Sequence, residues 1–273
     1  MDNKIRLQPL VDLNNGSIYG YEALCSRNFC DANACGQFPS AERILRAITS
    51  DCKDIRNFQL FINMTIDDAG NKNFGKLFLN ALEELGVDGE QVVLEVNEST
   101  PPEMLAQAKQ SLSLLRMHNV KIALDDFGTQ CSTLELMSEI PLDIIKIDKK
   151  FVQNAPYSKK NRSLLKFCVD VSHNIGCKVV AEGIETEDQF ECVKEFNVDI
   201  GQGFFFSITS LERQKVDPFI NLSDFITYTS LNDSKLFLVT KGDVLRNFGL
   251  LQYPRFVAIK KPSARIEKFK KIA

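Results

Sequence analysis

Residues 121–128 read KIALDDFG. Val120, Ile122, Ala123 and Leu124 form an apolar run suited to a strand buried on both faces, and such strands belong to parallel sheets. The run stops on two adjacent carboxylates, Asp125 and Asp126, followed by Phe-Gly. Unpaired charge in a low-dielectric surround is costly, so two ionised aspartates at a strand end need a partner or solvent. A divalent cation is one such partner, and a shared carboxylate would admit a second ion. A helix cap or a solvent-facing pair would explain the same two letters. The rest of the chain decides between them.

The chain has 273 residues, enough for one large domain or for a barrel with an appendage. Its apolar and charged fractions, 44% and 25%, are those of an ordinary globular protein. No run of about 18 apolar residues occurs, so no membrane span is expected. The opening MDNKIRLQPLVDL enters strand-like sequence at once, without the basic-then-apolar form of a secretory leader, and a cytoplasmic protein is expected. Among the eight cysteines, Cys25, Cys30 and Cys35 recur every five residues and Cys52 follows; no C-x2-C pair suggests zinc, and all are read as reduced thiols. Only two histidines, His118 and His173, are present, so a metal site would have to use oxygen ligands. The net charge of −3 is uneven. From Lys241 onward nine Lys/Arg face two Asp/Glu, leaving 24 basic and 34 acidic side chains in the first 240 residues. An acidic body suits a site that collects cations; a basic end either steers an anionic partner or is a solvated tail.

Residues 5–13 and 17–25 predict two strands joined by the tight-turn signal Asn14-Asn15-Gly16, so the first pairing is an antiparallel hairpin. A polar loop over 28–39 leads to a helix opened by Ser40. Strand then alternates with helix: FQLFINMT, a helix over 73–86 closed by Gly86, QVVLEVNES, a helix started by Pro101-Pro102, and the KIALDDFG strand. A helix over 132–140, the strand DIIKIDKKFV, a helix over 158–176, the strand CKVVAEGI, a helix over 186–196 and the strand VDIGQGFFF complete the series. Eight strands in this alternation, with no G-x-G-x-x-G after the first, predict a (β/α)8-type α/β barrel over an open doubly wound sheet. Glu22, Asn63, Glu95, Asp125, Asp126, Lys146, Glu182 and Gln202 all fall at or near the carboxyl ends of different strands. In a barrel those ends converge on the face where catalytic sites sit. Scattered surface acids would show no such bias, so the convergence favours a cation site.

On these residues the chain resembles the EAL-domain family, bacterial phosphodiesterases that linearise cyclic di-GMP. The resemblance runs from residue 5 to about 220. It rests on QPLVDL with EAL (Gln8, Glu22, Leu24), FINMT (Asn63), LEVNES (Glu95, Glu98), LDDFGT (Asp125 to Thr129), IKIDKKFV (Lys146, Asp148), VVAEGIET (Glu182, Glu185) and QGFFF (Gln202). It implies a TIM-like barrel with one antiparallel strand, and hydrolysis to linear pGpG by in-line attack of a metal-activated water, with Mg²⁺ or Mn²⁺, two ions in all. It also implies that Glu22, Asn63, Glu95 and Asp125 hold one ion, and Asp125, Asp126 and Glu182 the other. Lys146, Glu22, Asp148 and Glu182 take the catalytic roles, with Lys146 a fixed positive charge near the attacking water. Gln8, Leu24, Arg27, Asp126, Gln202 and Glu185 would contact substrate, and Glu98 would support the loop after Asp126. The implied partners are cyclic di-GMP, a second copy of the chain and a regulatory protein, with no nucleic-acid polymer.

Departures from the family pattern are Ser26 where an arginine is usual, with Arg27 beside it; Gln130 in place of a loop glycine; and Thr209 where a proline is common. They keep open a second reading, a catalytically weak or inactive receptor for the dinucleotide or a protein-interaction module. A Schiff-base barrel enzyme using Lys146 is a third, but it needs a lysine of depressed pKa, and a ring of carboxylates pushes the other way. The barrel is expected over residues 1–222. Residues 223–273 form an extension of unknown role, small and α+β, with strands predicted in KLFLVTK and RFVAIKK. Phe204 to Phe206 are expected in the core.

Overall fold

A computed structural model of the chain describes residues 5–25, 40–51, 58–129 and 137–206, and the backbone of 220–221, 237–240, 244–247 and 257–260. The hairpin forms as expected: β1 (Ile5–Asp12) and β2 (Ile18–Cys25) pair antiparallel around the Asn14-Asn15-Gly16 turn. Asp12 Oδ1 accepts the Asn14 and Asn15 amides, and Gly16 takes a positive φ. After α1 (Ala41–Asp51), the strands β3 (Gln59–Asn63), β4 (Val92–Asn97), β5 (Lys121–Phe127), β6 (Ile144–Ile147), β7 (Lys178–Ala181) and β8 (Ile200–Gly201) follow β2 in parallel. Strand β1 closes the ring, antiparallel to both β2 and β8. The result is an eight-stranded barrel with one antiparallel strand, and KIALDDF is the fourth of its parallel strands.

Between strands lie α2 (Ile66–Gly70), α3 (Phe74–Leu85), α4 (Pro102–Met117), α5 (Lys149–Asn154), α6 (Lys159–Asn174) and α7 (Glu187–Glu195). Their ends carry the signals read in the sequence. Gly86 closes α3 in the left-handed region, Pro102 is the first residue of α4, and Gly176 follows α6 with φ 83°. Thr186 caps α7 in a reciprocal box with Gln189. Two short helices, α2 and α5, were not expected. The first is a local capping box, Thr65 with Asp68, whose buried carboxylate also accepts the Ala41 amide. The second corrects the reading of DIIKIDKKFV as one strand. Strand β6 ends at Ile147 because Asp148 accepts the Lys150 amide and starts a helix. Of the helix expected over 132–140, residues 137–139 are helical and 130–136 lie outside the described residues.

Two apolar layers result. Outward-facing strand residues such as Leu60, Leu94, Ile122, Leu124, Ile145 and Val179 pack with the helices in one large cluster. Inside the barrel Leu10, Phe61, Val93, Ala123, Ile144, Val180 and Ile200 form a separate one. Gly20, the cross-strand partner of Leu10, stands where an added Cβ would lie 2.3 Å from the Gln59 carbonyl oxygen, so β2 and β3 approach closely there. Phe206 is buried and Phe205 stacks on Phe190, while Phe204 is 45% exposed, the one departure from the expected core placement of the three. Burial pushes the Cys168 and Cys177 thiols up to about 11, which suits packing and not metal or redox chemistry.

Strand β9 (Ile220–Asn221) pairs with β1 beyond the reach of β8, and ends one residue before the expected barrel boundary. Further on, β10 (Phe237–Thr240), β11 (Val244–Asn247) and β12 (Val257–Lys260) make an antiparallel three-stranded sheet. The first and last of these were expected from the sequence; β11 was not. No helix appears among the described residues of the extension. Likewise, no helix among the described residues is long and apolar enough to cross a membrane.

Candidate active site

Side chains along a strand alternate in direction, so counting two residues from each member of the interior apolar layer stays inside the barrel. From Phe61, Val93, Ala123, Ile144, Val180 and Ile200 the count toward the carboxyl ends gives Asn63, Glu95, Asp125, Lys146, Glu182 and Gln202. On β1, which runs the other way, two residues back from Leu10 is Gln8, and its cross-strand partner is Glu22. Every strand thus places one polar side chain in a single ring above the apolar layer. One further step of two from Glu22 is half-buried Leu24, at the rim.

The ring converges on Lys146. Its Nζ lies 2.6 Å from Glu95 Oε1, 2.8 Å from Glu182 Oε1, 2.9 Å from Asp125 Oδ1 and 3.5 Å from Glu22 Oε2. Lys146 is 1% exposed and Glu95 is fully buried. Gln202 Nε2 donates to Glu22 Oε2 at 2.6 Å, and Asn63 Nδ2 approaches Glu22 Oε1 at 3.4 Å. Burial alone would lower the Lys146 pKa; Asp125, Glu182, Glu22 and Glu95 outweigh it and hold the ammonium charged well above its ordinary range. That is the reverse of what Schiff-base chemistry requires. Burial raises Glu95 and Glu182, with Lys146 opposing and neighbouring carboxylates adding.

Adjacent residues of a regular strand face opposite ways, so Asp125 and Asp126 should not both reach the ring. They do because the strand breaks. Asp126 adopts φ 59°, a left-handed conformation that Asp tolerates better than most residues, and the β5–β6 register shifts between Leu124 and Phe127. The turn brings oxygens of Asp125, Asp126 and Glu182 within 4.8 Å of one another. Asn97 Nδ2 donates to Asp126 Oδ2 at 2.8 Å, and burial, then Asp125, pushes the Asp126 pKa up. Glu98 Oε2 accepts the Thr129 amide at 2.8 Å and its hydroxyl at 3.1 Å, so it anchors the loop after Asp126.

Two expected residues stand apart from the Lys146 cluster. Glu185 is exposed at the mouth of α7 and accepts from Gln153 Nε2 at 3.1 Å. Asp148 caps α5, close enough to Asp126 to raise its pKa. Ser26, Arg27, Gln130 and Thr209 lie outside the described residues. Asn97 and Gln153 were not singled out from sequence. Asn97 had a usable signal, since it sits two residues beyond Glu95 on the same face of β4; Gln153, on an unforeseen helix, had none.

The donor set fits hard divalent cations. The ring and Asp126 together offer five carboxylates and three amides, with no sulfur and no imidazole. Glu95 Oε2 and Gln202 Oε1 are buried without a hydrogen bond among the described residues, an arrangement that would be costly unless a further partner is bound.

The sequence matches the EAL domain family over residues 2–208. The cyclic di-GMP phosphodiesterase PdeL of Escherichia coli is 34% identical over 151 residues, 55% of this chain and 42% of that protein. The cyclic di-GMP phosphodiesterase NbdA of Pseudomonas aeruginosa is 28% identical over 225 residues, 75% of this chain and 28% of its own length. The chain spans from 16% to 42% of the length of the curated relatives it matches. In fold it is similar to the crystal structure of the EAL domain of Mycobacterium smegmatis DcpA, with TM-score 0.69, 24% identity, and 84% of this chain and 96% of that one covered. By its motifs, its barrel with one reversed strand and this match over most of its length, the chain belongs to the EAL domain family.

Proposed function

We propose that the protein hydrolyses cyclic di-GMP to linear pGpG with Mg²⁺ or Mn²⁺. The observation that carries this reading is the ring: one polar side chain from each of eight strands, with four carboxylates gathered on one buried ammonium. The substrate comes from the relatives named above. Glu22, Asn63, Glu95 and Asp125 would hold one cation, and Asp125, Asp126 and Glu182 a second. Bound there, the ions supply Lewis acidity, lowering the pKa of a water and neutralising phosphodiester charge.

The chain's own groups do the rest. Water oxygen bonds to phosphorus in line with the ribose 3′ oxygen, whose bond to phosphorus breaks and which takes up a proton; one water is consumed. Lys146, held charged, is a fixed positive group beside the reacting phosphate and not a base. Gln202 orients Glu22, Asn97 orients Asp126, and Glu98 fixes the Thr129 turn. Gln8 in the ring, Leu24 at the rim and Asp148 at the start of α5 would, with Arg27 and Glu185, position the dinucleotide. The same reading carries a cytoplasmic homodimer engaged by a regulatory protein. Leu164 and Phe167, three residues apart on α6 and both exposed, offer apolar surface for a second copy.

Incubation of purified protein with cyclic di-GMP and Mn²⁺, followed by chromatography, is expected to give pGpG, and Glu22→Ala to give none. Tight binding of the dinucleotide without product would replace the hydrolase with a receptor.

A further inference from the structure

An ammonium group has three donor hydrogens. Oxygens of Glu95, Glu182 and Asp125 already crowd Lys146 Nζ within 2.9 Å, and Glu22 stands behind them at 3.5 Å. Nζ is enclosed by carboxylate oxygens as ion pairs, and Glu95 Oε1 and Asp125 Oδ1 accept no hydrogen bond among the described residues. All four of these acids are among the residues assigned above to metal.

We propose that Lys146 is a tethered counter-cation: it gathers the four carboxylates when metal is absent and yields part of them when divalent metal binds, so that it sets the metal affinity of the site. This rests on the reading that the ring holds metal ions. The charges support it. Fully ionised, five carboxylates against one ammonium leave four negative charges, which two divalent cations neutralise. Without its own cation the cluster would pack like charges together around a fully buried Glu95, with Asp125 and Glu182 only partly exposed, a costly arrangement. With Lys146 in place the metal-free barrel is spared that cost, and an entering cation meets both an occupied set of ligands and a fixed positive charge. Releasing Lys146 from those ion pairs also turns its ammonium toward the phosphodiester, so metal loading would prepare the group for substrate.

The test uses the full chain and no nucleotide. Lys146→Met keeps the length of the side chain and removes its charge. In excess chelator its melting temperature should fall by about 10 °C. Added Mn²⁺ should restore it, and calorimetry should show Mn²⁺ bound at least about tenfold more tightly than by the unaltered protein. A variant that melts like the parent in chelator, or binds Mn²⁺ no more tightly, overturns the proposal. Should the variant prove insoluble without metal, the parent protein gives a second readout. The ¹⁵N resonance of the Lys146 side chain should shift and its hydrogens should exchange faster on saturation with Mg²⁺, and an unmoved resonance overturns the proposal. Parent protein that binds Mn²⁺ without making pGpG would sink the hydrolase and leave Lys146's role standing. Parent protein that makes pGpG while Lys146→Met gains no affinity would do the reverse.

Discussion

Glu95→Gln should cost about 10³-fold or more in cyclic di-GMP hydrolysis while leaving the melting temperature in chelator unchanged or higher. The two halves of that expectation have one cause. Glu95 is fully buried, and burial, then Glu22 and Asp125, raise its pKa against the pull of Lys146. Keeping a charge there costs stability, and an amide of the same shape does not carry it. Lys146 would retain Asp125, Glu182 and Glu22. Function, by contrast, needs the anionic oxygen as a cation ligand. Activity assays and melting curves on one preparation check both. Loss of fold together with loss of activity would make Glu95 a structural residue.

Gly203→Ala should destabilise the fold strongly whether or not metal is bound. An added Cβ would stand 2.2 Å from the Ile184 carbonyl oxygen and 2.4 Å from its nitrogen, and the residue holds φ 151°. Backbone cannot yield as a flexible side chain can. The segment is also pinned on both sides: Ile184 donates to the Gln202 carbonyl, Gln202 to that of Ala181, and Phe205 to that of Ile184. We expect a loss of about 3 kcal/mol, a fall in melting temperature of about 10 °C. Because these loops carry Glu182 and Gln202, hydrolysis should fall more than tenfold at a temperature where the variant is still folded. A shift under about 2 °C would mean that the close approach is not maintained in solution.

What the sequence revealed, and what it did not, follows from range. The ring was legible because two-residue periodicity is local: once FINMT, LEVNES, KIALDD, IKID and VVAEG are strands of one barrel, their interior polar positions follow by counting. The antiparallel pairing of β1 with β2 could be read from the Asn-Asn-Gly turn, whereas the pairing of β1 with β8 that closes the barrel could not. The left-handed turn at Asp126 could not be read. Nothing in DDFG dictates it, yet it alone lets neighbouring aspartates share a face. Strand β6 was drawn too long because IDKKFV has strand-like letters, whereas Asp148 as a helix cap depends on a single hydrogen bond to Lys150. Gln153 was invisible for the same reason, since its helix was. Strand β9 pairs with β1 across more than 200 residues of sequence, which no local pattern encodes.

The central claim is that this ring of oxygens holds divalent cations against the scissile phosphodiester. Anomalous scattering from crystals grown with Mn²⁺ and cyclic di-GMP measures that directly. The account predicts two manganese peaks, one among Glu22, Asn63, Glu95 and Asp125, the other among Asp125, Asp126 and Glu182, with a phosphate of the dinucleotide beside them. No manganese at the ring, or Glu22, Glu95 and Asp125 turned away from one another, would contradict it.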